Sequence, residues 1–147
     1  MKKKHNTPLA PTGIRSPLRT LIVDDSELLL SVVSRFLDTQ VLVQVVGMAA
    51  NGSEALQKAA VLTPDLVLMD LNMPCMSGLE TTALLRCRLP GARIIIMTLD
   101  ETVQAKAAAY AHGAHGFVGK TQMIRTLMDE IQRVFLLNDS DEEKGTV

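Results

Sequence analysis

Five short apolar runs punctuate the chain, and between them apolar positions recur at helical spacing. Residues 19–24, Val41–Met48, Leu66–Met69, Arg93–Met97 and Gly116–Val118 each read as a strand. Ser26 is placed to cap a helix running to about Leu37, whose Leu29, Val32, Val33 and Phe36 share one face. Asn51-Gly52-Ser53 opens a second helix through Glu54, Ala55, Leu56, Ala59 and Ala60, which Thr63-Pro64 stops. A third starts at Ser77-Gly78 and ends before Pro90-Gly91. A fourth, rich in alanine, spans Glu101–Ala111, and Gly113 terminates it. Thr121 is placed to cap a fifth, to about Leu137, with Ile124, Leu127, Met128, Ile131, Val134 and Phe135 inward and Met123, Leu136 and Leu137 off the core face.

Strands that alternate with helices must be parallel, and right-handed crossovers cover both sheet faces with helices. The pattern therefore predicts a (βα)5 doubly wound parallel sheet in one domain, with the flavodoxin-like strand order 2-1-3-4-5. Residues 1–18, broken by Pro8, Pro11, Gly13 and Pro17, read as a flexible N-terminal tail. Residues 19–137 form the domain, and 138–147 read as an acidic tail or linker stub.

Composition narrows the function classes. A chain of 147 residues with 47% hydrophobic but only 3% aromatic residues suits a core of Leu, Val, Ile, Met and Ala around buried parallel strands. The net charge of -1 supplies no global basic field for nucleic acid. No apolar stretch approaches the roughly 20 residues of a membrane span, and Lys2-Lys3-Lys4 is not followed by the apolar segment of a secretory signal. Cys75 and Cys87 form no CxxC pair or disulfide framework, which suits reduced thiols in the cytoplasm. His112 and His115 lack a nearby carboxylate or cysteine to complete a metal set.

The ends of the apolar runs carry the chemistry. The first leads into Asp24-Asp25, the third into Asp70, the fourth into Thr98, and the fifth through Gly119 into Lys120. In open α/β sheets, sites form beyond the strand C-termini. Three carboxylates converging there repel one another unless a cation neutralises them, and a hard divalent ion such as Mg²⁺ suits oxygen ligands. Lys120 adds a point charge and Thr98 a hydroxyl. Together they suit phosphoryl transfer, in which positioning and charge neutralisation dominate, with a carboxylate as the nucleophile.

At these residues the chain resembles the receiver domains of two-component response regulators, over about residues 19–137. The resemblance rests on Asp24-Asp25, on Asp70-Leu71-Asn72-Met73-Pro74 with Ser77-Gly78, on Thr98, and on Gly116-Phe117-Val118-Gly119-Lys120. The wording of Asp70–Gly78 and Gly113–Lys120 is most similar to receivers that carry a helix-turn-helix output. The resemblance implies that Asp70 is the phosphoacceptor. It implies that Asp24, Asp25, Asp70 and the backbone carbonyl of Asn72 hold Mg²⁺, and that Lys120 pairs with Asp70 and then with the phosphoryl group. Thr98 and Phe117 become the switch pair, and Asn72, Leu99 and Asp100 tune dephosphorylation. Helix four, strand five and helix five become the face whose partner preference changes.

Implied partners are a histidine kinase or histidine phosphotransfer protein, and a downstream protein target or a second copy in a homodimer, with no direct nucleic-acid or membrane contact. Two positions depart from the common pattern: Thr121 follows Lys120 where many receivers have a cis proline, and Leu99 is bulkier than the residue often found after the switch hydroxyl. Two alternatives are a phosphatase with an Asp nucleophile and a degenerate, binding-only receiver. Against the first, Asn72 stands where haloacid-dehalogenase-type phosphatases want a second acid, and no cap domain is present to build a substrate pocket. Against the second stands the complete set of acids, hydroxyl and lysine.

Overall fold

The computed structural model describes the chain from Pro17 to Gly145, with side chains to Leu136. Most of the N-terminal tail, the end of the acidic tail and the Leu137 side chain lie outside the described residues. The elements run β1 (Leu18–Val23), α1 (Glu27–Asp38), β2 (Val43–Ala49), α2 (Gly52–Leu62), β3 (Leu66–Asp70), α3 (Gly78–Arg88), β4 (Arg93–Thr98), α4 (Val103–Ala111), β5 (Gly116–Gly119) and α5 (Met123–Gly145). All strand pairs are parallel, in the order β2-β1-β3-β4-β5. This is the flavodoxin-like order that the strand–helix alternation predicts.

Local chemistry starts four of the helices. Ser26, Asn51, Ser77 and Thr102 each accept a backbone N–H of the first turn on a side-chain oxygen, and Ser77 and Glu80 form a reciprocal capping box. At its other end α4 stops at Gly113, whose φ of +105° suits a residue without a Cβ. Along the strands the side chains alternate between two cores. Ile22, Leu66, Leu68, Ile95 and Met97 pack with α1 and α5 through Val33, Leu37, Leu127, Ile131 and Val134. Leu21, Val23, Val67, Met69, Ile94 and Ile96 pack on the other side, against Ala55, Ala59, Leu85, Ala105 and Ala109.

Several local expectations are corrected. β2 starts two residues later than Val41, and its ladder with β1 slips between Thr20 and Leu21, leaving Val46 as an extra residue on this edge strand. Thr102, not Glu101, marks the start of α4. Thr121 caps nothing: it lies in a 3₁₀ turn, Lys120–Gln122, that precedes α5 without a side-chain cap. Met123 is buried, whereas Ile124 is 48% exposed. The buried row of α5 is Met123, Leu127, Ile131 and Val134, and Ile124 sits about 100° round the helix from Met123. Val32 is likewise turned out from the Val33–Leu37 row. α5 continues to Gly145, past the end near Leu137 that the apolar pattern suggests. Cys75 and Cys87 are free and exposed. Among the described residues, no helix is long and apolar enough to cross a membrane.

Candidate functional site

The ladder brings the candidate residues to one edge. Val23 pairs with Met69, Asp70 with Met97, and Thr98 with Gly119, so four strands end nearly level. Asp24 extends β1 by donating its N–H to the Ala49 carbonyl at 3.0 Å. Asp70 is the last residue of β3, Thr98 the last of β4, and Lys120 follows β5 directly. Beneath Asp70 the start of α3 packs without clearance, since a Cβ on Gly78 would lie 2.0 Å from the Asp70 carbonyl oxygen.

Asp24, Asp25 and Asp70 each present a carboxylate oxygen within 4.8 Å of the others. Asp24 and Asp70 are only 1% and 4% exposed, whereas Asp25 faces solvent. The Lys120 ammonium lies between the two buried acids, 2.7 Å from Asp24 Oδ2 and 3.1 Å from Asp70 Oδ1. Asp24 Oδ1 also accepts the Ser26 N–H at 2.8 Å, so the turn into α1 fixes this carboxylate. The expected Lys120–Asp70 pair is present, but the shorter contact is to Asp24.

Electrostatics follow from this crowding. Burial, and then the neighbouring Asp24 charge, push Asp70 up to about 6, against the pull of Lys120 and of a backbone hydrogen bond from Asn72. For Lys120, burial favours the neutral amine, but its hydrogen bonds and charge contacts to Asp24 and Asp70 outweigh that and raise its pKa. Three carboxylates and one ammonium leave an excess of negative charge. All the acidic donors are oxygens, two of them buried, which fits a hard divalent cation. Among the described residues, these three aspartates are the metal-ligating side chains that come together as a set.

The other expected residues lie on β4, on β5 and in the loop that follows β4. Thr98 is fully buried, and its Oγ1 accepts the Asp100 N–H at 3.0 Å, leaving its own proton to donate. Asp100 is engaged with α4, accepting from Thr102 Oγ1 at 2.8 Å. Leu99 is 71% exposed. Phe117 is half-buried, packed on the α2–α4 side of the sheet. The peptide linking Lys120 to Thr121 is trans. His112 and His115 are used locally: His112 Nδ1 meets the Ala108 carbonyl, and His115 Nδ1 accepts the Ile94 N–H at 3.0 Å.

Glu101 is the contact that sequence reading missed. From the β4–α4 loop its carboxylate accepts the Thr121 hydroxyl at 2.5 Å and the Thr121 N–H at 3.4 Å. A pairing between residues 20 apart leaves no periodic trace. The only signal is an acid three residues after Thr98 together with a hydroxyl directly after Lys120.

Comparison with known proteins agrees with this geometry. Residues 20–132 match the response regulator receiver domain family. The response regulator protein VraR of Staphylococcus aureus is 34% identical over 116 residues, covering 79% of this chain and 56% of VraR. The chain thus spans little more than half the length of that relative. The response regulator domain of Thermotoga maritima CheB superposes with a TM-score of 0.73 at 30% identity, covering 80% of this chain and 96% of that one. A two-component response regulator of the LuxR family from Aurantimonas sp. SI85-9A1 superposes with a TM-score of 0.77 at 28% identity, over 88% and 99% of the two chains. An acidic, lysine-bridged edge on a 2-1-3-4-5 sheet, matched over most of its length, makes this chain a member of the response regulator receiver domain family.

Proposed function

We propose that Asp70 is the phosphoacceptor of a phosphorelay switch, supplied by a histidine kinase or a histidine phosphotransfer protein. The observation that carries this is the Lys120 ammonium bridging Asp24 and Asp70 at 2.7 and 3.1 Å beside Asp25. With a pKa of about 6, Asp70 is mostly carboxylate at pH 7.5 and can act as a nucleophile. Its oxygen attacks phosphorus. The O–P bond forms as the donor's P–N bond breaks, and that electron pair leaves on the imidazole nitrogen.

Asp24, Asp25, Asp70 and the Asn72 carbonyl would hold Mg²⁺, which supplies charge neutralisation for the phosphoryl oxygens. Lys120 keeps its contact with Asp24 and turns its remaining N–H donors to the phosphoryl group. Thr98 donates its hydroxyl to another phosphoryl oxygen, and Phe117, one strand over, follows that movement. Asn72, Leu99 and Asp100 flank the acyl phosphate and set its hydrolysis rate. The protein in this reading is a switch in the cytoplasm rather than a turnover enzyme. Its output is a changed contact of α4, β5 and α5 with a protein target or a second copy, without direct contact to nucleic acid.

Intact mass after incubation with Mg²⁺ and acetyl phosphate tests the reading. Wild type gains one phosphoryl group, and chelator or Asp70→Asn abolishes the gain. Equal labelling of Asp70→Asn would overturn the assignment of the acceptor.

A further inference from the structure

We propose that Glu101 is a positioning residue for Lys120, acting through Thr121; this rests on the phosphoacceptor reading above. Lys120 stands between Gly119 and Thr121 in a turn that has no side-chain cap of its own. The acid comes instead from across the loop. Glu101 accepts both the hydroxyl and the backbone N–H of Thr121, at 2.5 and 3.4 Å. The same carboxylate lies flat on Gly119: a Cβ there would meet Glu101 Cδ at 2.2 Å and both its oxygens within 2.5 Å. One side chain therefore touches the residues on either side of Lys120.

The other end of Glu101 is also anchored. Thr98 Oγ1 holds the Asp100 N–H at 3.0 Å, and Asp100 Oδ1 holds the Thr102 hydroxyl at 2.8 Å and its N–H at 3.2 Å. Glu101 lies between these two fixed points, so its backbone has little freedom. The turn carrying Lys120 is thereby tied to the loop that carries Thr98. Where a proline would stiffen the turn by fixing its own φ, this chain uses a carboxylate supplied from the neighbouring loop. A displacement of about 1 Å in a group that positions reacting atoms can cost two orders of magnitude in rate, and Lys120 has a 2.7 Å and a 3.1 Å contact to lose.

Two readouts test this in the full chain. The first is the initial rate of phosphoryl uptake from acetyl phosphate with Mg²⁺, followed by intact mass. Glu101→Ala and Thr121→Val should each slow it about tenfold, the double variant should slow it no further, and Glu101→Gln should restore most of the rate because Thr121 keeps an acceptor. In a Lys120→Ala background, adding Glu101→Ala should leave the residual rate unchanged. The second is acylation of Lys120 by acetic anhydride without metal, read by peptide mass, which should rise severalfold in Glu101→Ala and Thr121→Val. This second readout needs no phosphorylation. If wild type takes no phosphoryl group, the phosphoacceptor reading fails and acylation still decides the role of Glu101. Unchanged uptake and unchanged Lys120 acylation in Thr121→Val, which removes only the hydroxyl, would overturn the proposal, as would a full additional loss from Glu101→Ala in the Lys120→Ala background. Should Glu101→Ala fail to show a cooperative thermal transition, Thr121→Val and Glu101→Gln carry the comparison.

Discussion

Two titratable side chains sit at opposite ends of the same sheet, both strongly perturbed and only one at the site. At the C-terminal edge, Asp70 is pushed up to about 6 by burial and then by Asp24. At the N-terminal end, just before β5, His115 is pulled down to about 4 by burial and then by Arg86 and Arg93. Each group is buried near charges of the sign it would itself acquire, so each favours its neutral form. The difference lies in what the lone pairs do. His115 Nδ1 is spent on the Ile94 N–H at 3.0 Å, and its own N–H and C=O are taken by Ile94 and Arg133. Asp70 shares one lysine with a second buried acid, and a third acid stands alongside. A shifted pKa marks a buried group. A convergent excess of charge, which a ligand can neutralise, marks a site.

The largest way to break this contrast is Lys120→Ala. It leaves Asp24, 1% exposed, and Asp70 buried without their cation. Stability at pH 7.5 without divalent ions should fall by about 3–5 kcal/mol, measured by urea denaturation. A loss under about 1 kcal/mol, the range of exposed pairs, would mean that the acids are far better solvated than their burial indicates. At the other end, His115→Leu leaves the Ile94 N–H without its side-chain acceptor. The expected cost at pH 7.5 is about 1–3 kcal/mol. A stability equal to wild type would show that the histidine is a passenger.

The two ends also differ in how far the sequence alone reveals them. The apolar runs place all five strands, most sharply the central ones, because parallel strands buried on both faces must be nearly continuous in hydrophobic residues. The order follows from the strand–helix alternation and the common solution for five such units. The acids, the hydroxyl and the lysine are legible because each directly ends or follows such a run. What stays hidden is pairing at a distance. Nothing in the local pattern says that Thr121 turns to Glu101 instead of capping α5, or that His115 supplies an acceptor to β4. At Ile124 and Val32 the helix phase differs by one position from the apolar spacing, because an apolar residue adjacent to a buried row looks inward on spacing alone. The bulge at Val46 follows from the register of β1 against β2, which no single strand encodes.

The smallest effect is also the most discriminating, because it turns on sign. In the unfolded chain Asp70 titrates near 3.8, and in the folded chain near 6. Between those values the folded state binds more protons, so this group's contribution to stability falls as pH rises from about 4 to 6 and stays low above. His115 titrates near 6.5 unfolded and near 4 folded. There the unfolded state binds more protons, so its contribution is full above pH 6.5 and is lost as pH falls towards 4. The slopes oppose each other over nearly the same window, and in wild type these two contributions largely cancel. Asp70→Asn removes the first. It should stabilise the metal-free protein at pH 7.5 by about 1 kcal/mol, since Lys120 keeps its contact with Asp24, and the gain over wild type should vanish as pH approaches 4. His115→Leu should change relative to wild type in the opposite sense, its deficit shrinking on acidification. Urea midpoints from pH 4 to 7.5 in chelator give both difference profiles. If the two variants run parallel to wild type throughout, neither end of the sheet holds its titratable group in the protonation state that the geometry dictates.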